Sequence, residues 1–188
     1  MNNPFTPAEM VTTVTDVLAT VLGLTPEEIS EDSAIADDLG ADSLDFVDLN
    51  ATLEKRLNIA LAKKGALGHA EKISGRQDLF YNAKTGLTAE GVELLKNSLS
   101  QYTQLQTGMT VHDIFNLTTV KNVANLCHAL FDYLPSACPE CGHQEAKLSA
   151  AGKVVCGGCS AGLRPVHGDE AQVLSISQYL QEKSLKAA

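Results

Sequence analysis

The stretch Leu39-Gly40-Ala41-Asp42-Ser43-Leu44-Asp45-Phe46-Val47-Asp48-Leu49 decides how the rest of the chain is read. Gly40 ends the preceding segment. Asp42 stands where a helix N-cap belongs, its carboxylate able to accept N–H bonds from the first turn. Ser43 then falls on the first helical position, at the solvent rim. At about 100° per residue, Phe46, Leu49, Leu53 and Leu57 share one side of the helix, and Leu44, Val47 and Ala51 share another. One apolar face anchors a surface helix, so the second is free for something else. Asp42, Asp45, Asp48 and Glu54 stand between the two faces. An Asp cap before an ordinary amphipathic helix would explain the tripeptide Asp-Ser-Leu alone, but not the eleven-residue context.

That context resembles the acyl/peptidyl carrier protein family, whose motif is Asp-Ser-Leu opening the second helix, usually after Leu-Gly and a small residue. The resemblance implies that a phosphopantetheinyl transferase attaches a 4′-phosphopantetheine arm to Ser43, and that the arm carries acyl or aminoacyl groups as thioesters. It also implies that Leu44, Val47 and Ala51, with Asp42, Asp45 and Asp48, form the face read by partners. Those partners would be an acyl or aminoacyl ligase, a ketosynthase or an acyltransferase. Such a protein catalyses nothing itself; tethering raises the effective concentration of its cargo.

Upstream, Thr6-Pro7-Ala8-Glu9 is a capping box with proline at the first helical position. It predicts a helix on Met10, Val11, Val14, Leu18 and Leu22 that stops near Gly23. Thr25-Pro26-Glu27-Glu28 opens a short turn anchored by Ile29, and residues 30–41 form an acidic loop with Ile35 and Leu39 turned inward. Agreement with the carrier family runs from about residue 8 to residue 58. It resumes at Thr110–Ala124, which resembles the third and fourth carrier helices, with Val120, Val123, Ala124, Cys127 and Phe131 as the apolar stripe of the last. Cys127 reads as a small core residue.

Residues 60–108 replace what is a short loop in typical carriers. Residues 62–69, glycine-rich and basic, read as loop. Thr88-Ala89-Glu90-Gly91 opens a predicted helix over about 88–105 through Val92, Leu95, Leu99 and Tyr102, and Leu79-Phe80-Tyr81 forms an apolar knot. The insertion is either a tolerated surface excursion or a cover for the groove near the arm and an added partner surface.

Beyond Pro135 the character changes. Cys138-Pro139-Glu140-Cys141-Gly142 and Cys156-Gly157-Gly158-Cys159 are two C-x-x-C knuckles, with residues 142–155 between them. Four thiolates from two turns can close a tetrahedron around Zn²⁺. Ala146-Lys147-Leu148 and Lys153–Cys156 read as a hairpin around Ala151-Gly152, with a third strand over 163–166 and a closing helix over about 171–183. The segment resembles a zinc ribbon with Cys138, Cys141, Cys156 and Cys159 as ligands. Two disulfides, a rubredoxin-like iron site and a thioredoxin-like motif are the rivals, and His143 is a possible substitute ligand. Chelation is expected to disorder residues 136–168 while the carrier helices persist.

The formal charge of −9 is concentrated at the front. Residues 1–58 carry −10, residues 59–134 carry +1 and residues 135–188 are neutral. An acidic front repels nucleic acid and anionic membranes and favours basic protein partners. The ribbon lacks the basic, aromatic footprint of a nucleic-acid binder. No apolar run is long enough to span a membrane and no secretory signal is visible, so a cytoplasmic monomer is expected.

The sequence therefore predicts a mostly α protein. A four-helix carrier bundle occupies residues 1–134, with a helical insertion at about 60–108 between the second and third helices. A small β zinc ribbon and terminal helix occupy residues 135–188. The alternative function is an unmodified adaptor that docks proteins through the ribbon and the acidic helix; a small zinc or redox enzyme fits poorly, because a Cys₄ site leaves no open position. The cargo is divided between fatty acid and polyketide or other modular-synthase pathways. The acidic helix points to the first and Thr110–Phe115 to the second, while Lys55 and Arg56 put positive charge where fatty-acid carriers tend to be acidic.

Overall fold

The computed structural model describes residues 1–185. Helix α1 spans Pro7–Leu22 and starts in the expected capping box: Glu9 N–H donates to Thr6 Oγ1, and Thr6 N–H donates back to the Glu9 carboxylate at 2.7 Å. It ends on Gly23, whose φ of 68° is left-handed. Its core face is Met10, Val14, Val17 and Leu18, while Val11 and Leu22 lie at the margin. Helix α2 spans Ser43–Leu57 and buries Leu49, Leu53 and Leu57 against α1. The two remaining bundle helices, α5 (Val111–Asn116) and α6 (Val120–Leu130), open on their own boxes, Thr110/Asp113 and Thr119/Asn122. Phe131 follows α6 in a single 3₁₀ turn and packs, fully buried, on Phe5 with ring centroids 4.9 Å apart.

The acidic loop before α2 is held to the junction of α5 and α6. Ile35 N–H donates to Thr118 O at 2.9 Å, and Ala34 bridges Thr119. Ile35 is fully buried and Leu39 half-buried, so the loop hands the chain to Asp42 from a fixed point.

The insertion departs from the sequence reading in two places. Residues 62–69 are only partly loop: helix α3 runs over Ala66–Ser74. Burial of Ala66 and Ala70 against helix α7 (Gly168–Glu182) overrides the local weakness of Gly68, which faces open space. A hairpin of β1 (Tyr81–Asn82) and β2 (Gly86–Leu87) then leads to α4, Ala89–Lys96, much shorter than the predicted 88–105. Beyond Asn97 the chain turns, with Gln101 at φ 52° and Tyr102 N–H donating back to Leu95 O. Leu99 and Leu105 are thus buried by a turn and end in different cores, which a continuous helix could not achieve. Gly91 lets α4 lie directly on the backbone of Phe80, where any Cβ would collide with its carbonyl.

In the ribbon, β3 (Ala146–Leu148) pairs antiparallel with β4 (Val154–Cys156) as expected. The expected third strand over 163–166 is reduced to a bridge from Val155 to Gly162, made by the bonds from Leu163 N–H to Val154 O and from Cys156 N–H to Ala161 O. Helix α7 begins at Gly168 rather than 171, because His167 caps it through Nδ1. Gly168 donates to Ala60 O at 2.7 Å in an approach too close for any side chain.

Two hydrophobic cores result, and they do not follow chain order. The larger joins the carrier helices to Cys138, Val154, Cys156, Leu163 and Ala171. The smaller joins the insertion to Ile176 and Leu180 of α7. Among the described residues no helix is long and apolar enough to cross a membrane.

Candidate functional site

At the tip of α2 the sequence expectation and the geometry coincide. Asp42 is the N-cap, and its Oδ1 accepts N–H bonds from Leu44 (2.7 Å) and Asp45 (3.1 Å). Asp45 closes the box by accepting Asp42 N–H at 2.9 Å. Ser43 is the first helical residue and is exposed. Phe46, one turn on, leans inward on Phe115 of α5 with ring centroids 4.5 Å apart, which fixes α5 beside the serine-bearing tip.

The second apolar face is open to solvent. Leu44 is 71% and Val47 61% exposed, and Ala51 and Asp48 are exposed as well. Val111, at the start of α5, is 58% exposed. Large apolar side chains in water beside an accessible hydroxyl, rimmed by carboxylates, make a surface suited to recognition.

The opposite end of α2 carries contacts that the sequence did not announce. Lys153, near the tip of the ribbon hairpin, donates its ammonium to Lys55 O and Arg56 O, both at 2.7 Å, and Arg164 donates to Asn58 O at 3.3 Å. Cations on the last carbonyls complement the helix dipole. Partners about a hundred residues apart leave no local signal.

The four ribbon cysteines converge. Their Sγ atoms all lie within 4.8 Å of one another, with Cys138 to Cys159 at 3.7 Å and Cys141 to Cys156 at 3.6 Å. Thiolates at ~2.3 Å from a tetrahedral ion stand about 3.8 Å apart, so the set fits a single metal centre. All are free thiols rather than disulfides. Each knuckle is a tight turn: Gly142 N–H donates to Cys138 O, and Ser160 N–H to Cys156 O. The N–H groups of Cys159 and Gly158 hold the Cys156 thiol down to about 6, toward the thiolate a metal requires. Against the His143 N–H, which lowers it, the neighbouring sulfurs push Cys141 up to about 12. His143 packs against Gly158 outside the four-sulfur set. Cys127 is fully buried in the bundle, and desolvation pushes it up to about 12, as befits an inert core residue.

A further cluster went unseen in the sequence. His69 Nε2 lies 2.9 Å from Asp169 Oδ1, and Asp169 also accepts N–H bonds from Lys63 and Lys64. Desolvation raises the Asp169 carboxyl, but these donors outweigh it and hold the group below its ordinary value. The cluster fastens α7 to the start of α3.

The family model described as a phosphopantetheine attachment site matches residues 12–64, a span that contains Ser43. The acyl carrier protein of Chloroherpeton thalassium is 43% identical over 65 residues, covering 35% of this chain and 76% of that protein. The chain belongs to the acyl carrier protein family. Its relatives include the acyl carrier proteins of Clostridium acetobutylicum, 41% identical over 66 residues and 80% of that protein, and of Syntrophobacter fumaroxidans, 37% identical over 78 residues and 91% of that protein. The latter match covers 41% of this chain. No solved structure matches. The fold is accordingly a helical carrier with a long insertion and a small cysteine-bearing β region.

Proposed function

We propose that this carrier receives a 4′-phosphopantetheine arm on Ser43 and moves thioester-linked acyl or aminoacyl groups between biosynthetic enzymes. The observation that carries the reading is the exposed Ser43 hydroxyl at the tip of α2, beside the solvated Leu44 and Val47. In loading, Ser43 Oγ attacks the β-phosphorus of coenzyme A, its proton passes to a base of the transferase, and the P–O bond to 3′,5′-ADP breaks. The bound arm supplies a thiol for thioester chemistry. The chain's own part is to present Ser43, to keep α2 rigid between its two caps, and to offer the Asp42–Asp48 rim and the Leu44/Val47/Ala51 face to visiting enzymes.

Those visitors are a phosphopantetheinyl transferase and then a ligase, acyltransferase or ketosynthase with basic patches, acting on a cytoplasmic monomer that catalyses nothing. The acidic face of α2 supports a fatty-acid-type partner set, with polyketide-type enzymes as the other candidate. In the ribbon the four cysteines hold one structural Zn²⁺, which ties the hairpin to the carrier core. Intact-mass analysis after incubation with coenzyme A and a transferase tests the reading. The expected result is one added phosphopantetheinyl group, lost in Ser43→Ala. No gain favours the unmodified adaptor, and a gain that survives the substitution overturns Ser43 as the attachment site.

A further inference from the structure

We propose that the ribbon belongs to the docking face. The enzyme that loads Ser43 sets carboxylates against Lys55 and Arg164 at the far end of α2, while its cations meet Asp42, Asp45 and Asp48. This rests on the reading that Ser43 bears the arm, and it carries the partner face past Ala51 onto the ribbon.

The first observation is where the positive charge sits. Residues 1–58 hold twelve acidic side chains but two basic ones, and both bases, Lys55 and Arg56, stand in the last turn of α2. The ribbon brings two more cations to the same end: Lys153 on Lys55 O and Arg56 O, and Arg164 on Asn58 O. A helix C-terminus carries only about half a negative charge, so the dipole alone does not call for all four. Arg56 is paired with Asp16 at 3.2 Å, and the Lys153 ammonium is committed to its two carbonyls. Lys55 and Arg164 are both exposed and, among the described residues, neither forms an ion pair. Arg164 uses only its Nε–H, and the Lys55 ammonium has no partner among the described residues. The acids of that end are engaged elsewhere: Asp16 with Arg56, Glu54 with Leu61 N–H and Glu9 in the cap of α1.

The second observation is that Lys55 continues the solvated face. Leu44, Val47, Asp48, Ala51 and Lys55 follow one another at steps that keep them on one side of α2, and all are exposed. From Leu44 to Lys55 that line rises about 16 Å. An interface of ordinary size buries about 800 Å² on each partner, a patch roughly 30 Å across. Centred on Val47, such a patch takes in Lys55 and the end of α2 where Arg164 lies. A docked enzyme therefore meets carboxylates, then apolar side chains, then cations. An enzyme basic throughout is attracted at the first and repelled at the last, and like charges brought together are strongly unfavourable. The sequence of signs fits an enzyme with carboxylates over the ribbon end, and it fixes which way round that enzyme lies along α2.

The test is the kinetics of loading the full-length protein, using the transferase that modifies wild type and a fluorescent coenzyme A analogue, at low and at high salt. Lys55→Glu is expected to lower kcat/KM at least about fivefold at low salt, through KM rather than kcat, with much of the loss relieved at about 0.5 M salt. Arg164→Glu acts in the same direction. The Lys55 side chain holds no partner in the fold, so its variant reads docking rather than folding; an unchanged circular dichroism spectrum checks this. Unchanged or raised kcat/KM in either variant, or a loss that high salt does not relieve, would overturn the proposal. A rise is what an enzyme basic along its whole contact face would give. Any of these results beside normal loading of wild type sinks the ribbon contact alone. Failed loading of wild type sinks the carrier reading, and the contact with it.

Discussion

On the proposed reading, Asp42 and Ser43 divide the work at the tip of α2 between stability and chemistry. Asp42 and Asp45 between them accept three backbone N–H groups, those of Asp42, Leu44 and Asp45. Asp42→Ala is expected to lower unfolding stability by about 1 kcal/mol in chemical denaturation, whereas Ser43→Ala changes it by less than about 0.5 kcal/mol. The reverse order would mean that Ser43 is structural. Glu9, Glu28 and Asp113 are each held below their ordinary values, first by a backbone N–H and then by a hydroxyl, of Thr6, Thr25 and Thr110 respectively. A depressed folded value means that the stabilisation is present above the unfolded value and disappears as pH falls through the folded one. Thermal scans between pH 5 and 2.5 should therefore show stability falling below about pH 4, less steeply in Glu9→Gln. A midpoint independent of pH over that window contradicts this.

Helix by helix, legibility tracked local chemistry. The capping box at Thr6 is a local signal, and α1 starts where it stands; α5 and α6 were legible through the resemblance of Thr110–Ala124 to carrier helices, and the structure adds that each opens on a box of its own, at Thr110 and Thr119. Helix α3 has no such signal: Gly65 caps it with nothing, and Gly68 interrupts it. It is helical because Ala66 and Ala70 are small enough to pack closely on α7, a contact with residues about a hundred positions away. The predicted 88–105 helix ran too far for the converse reason: Leu99 and Tyr102 keep a helical spacing although a turn at Gln101 buries them. Helix α2 was legible at its start but not at its end, where Lys153 and Arg164 arrive from the ribbon. Lys153→Met should cost about 0.5–1 kcal/mol, read as a lower denaturation midpoint with an unchanged slope. If stability is unchanged, the ribbon does not support this helix.

Across the whole molecule, the ribbon is a buttress of the carrier rather than a pendant. Cys138, Val154, Cys156 and Leu163 share one core with α1, α2 and α6, so a metal bound by the four cysteines would be thermodynamically linked to the bundle. Metal analysis of reduced protein should find about one zinc per chain, the four-ligand stoichiometry of a structural site. Cys156→Ser or chelation should leave helical circular dichroism in place at room temperature. It should nonetheless lower the carrier's Tm by more than about 4 °C, the shift that 1–2 kcal/mol gives in a chain of this size. An unchanged Tm would show two independent units. The four-cysteine pattern was plain in the sequence because its spacing is local. The burial of Cys138 and Cys156 in the carrier core was not, since it depends on how the hairpin lands on the bundle.

The proposed function turns on a single oxygen, that of the Ser43 hydroxyl. Wild-type protein treated with coenzyme A and a phosphopantetheinyl transferase can be digested and its fragments sequenced by tandem mass spectrometry. The expected result is a phosphopantetheinyl group on Ser43, in near-complete yield and nowhere else. A group found on another residue, or an unmodified Ser43 peptide under conditions that load a control carrier, contradicts the assignment.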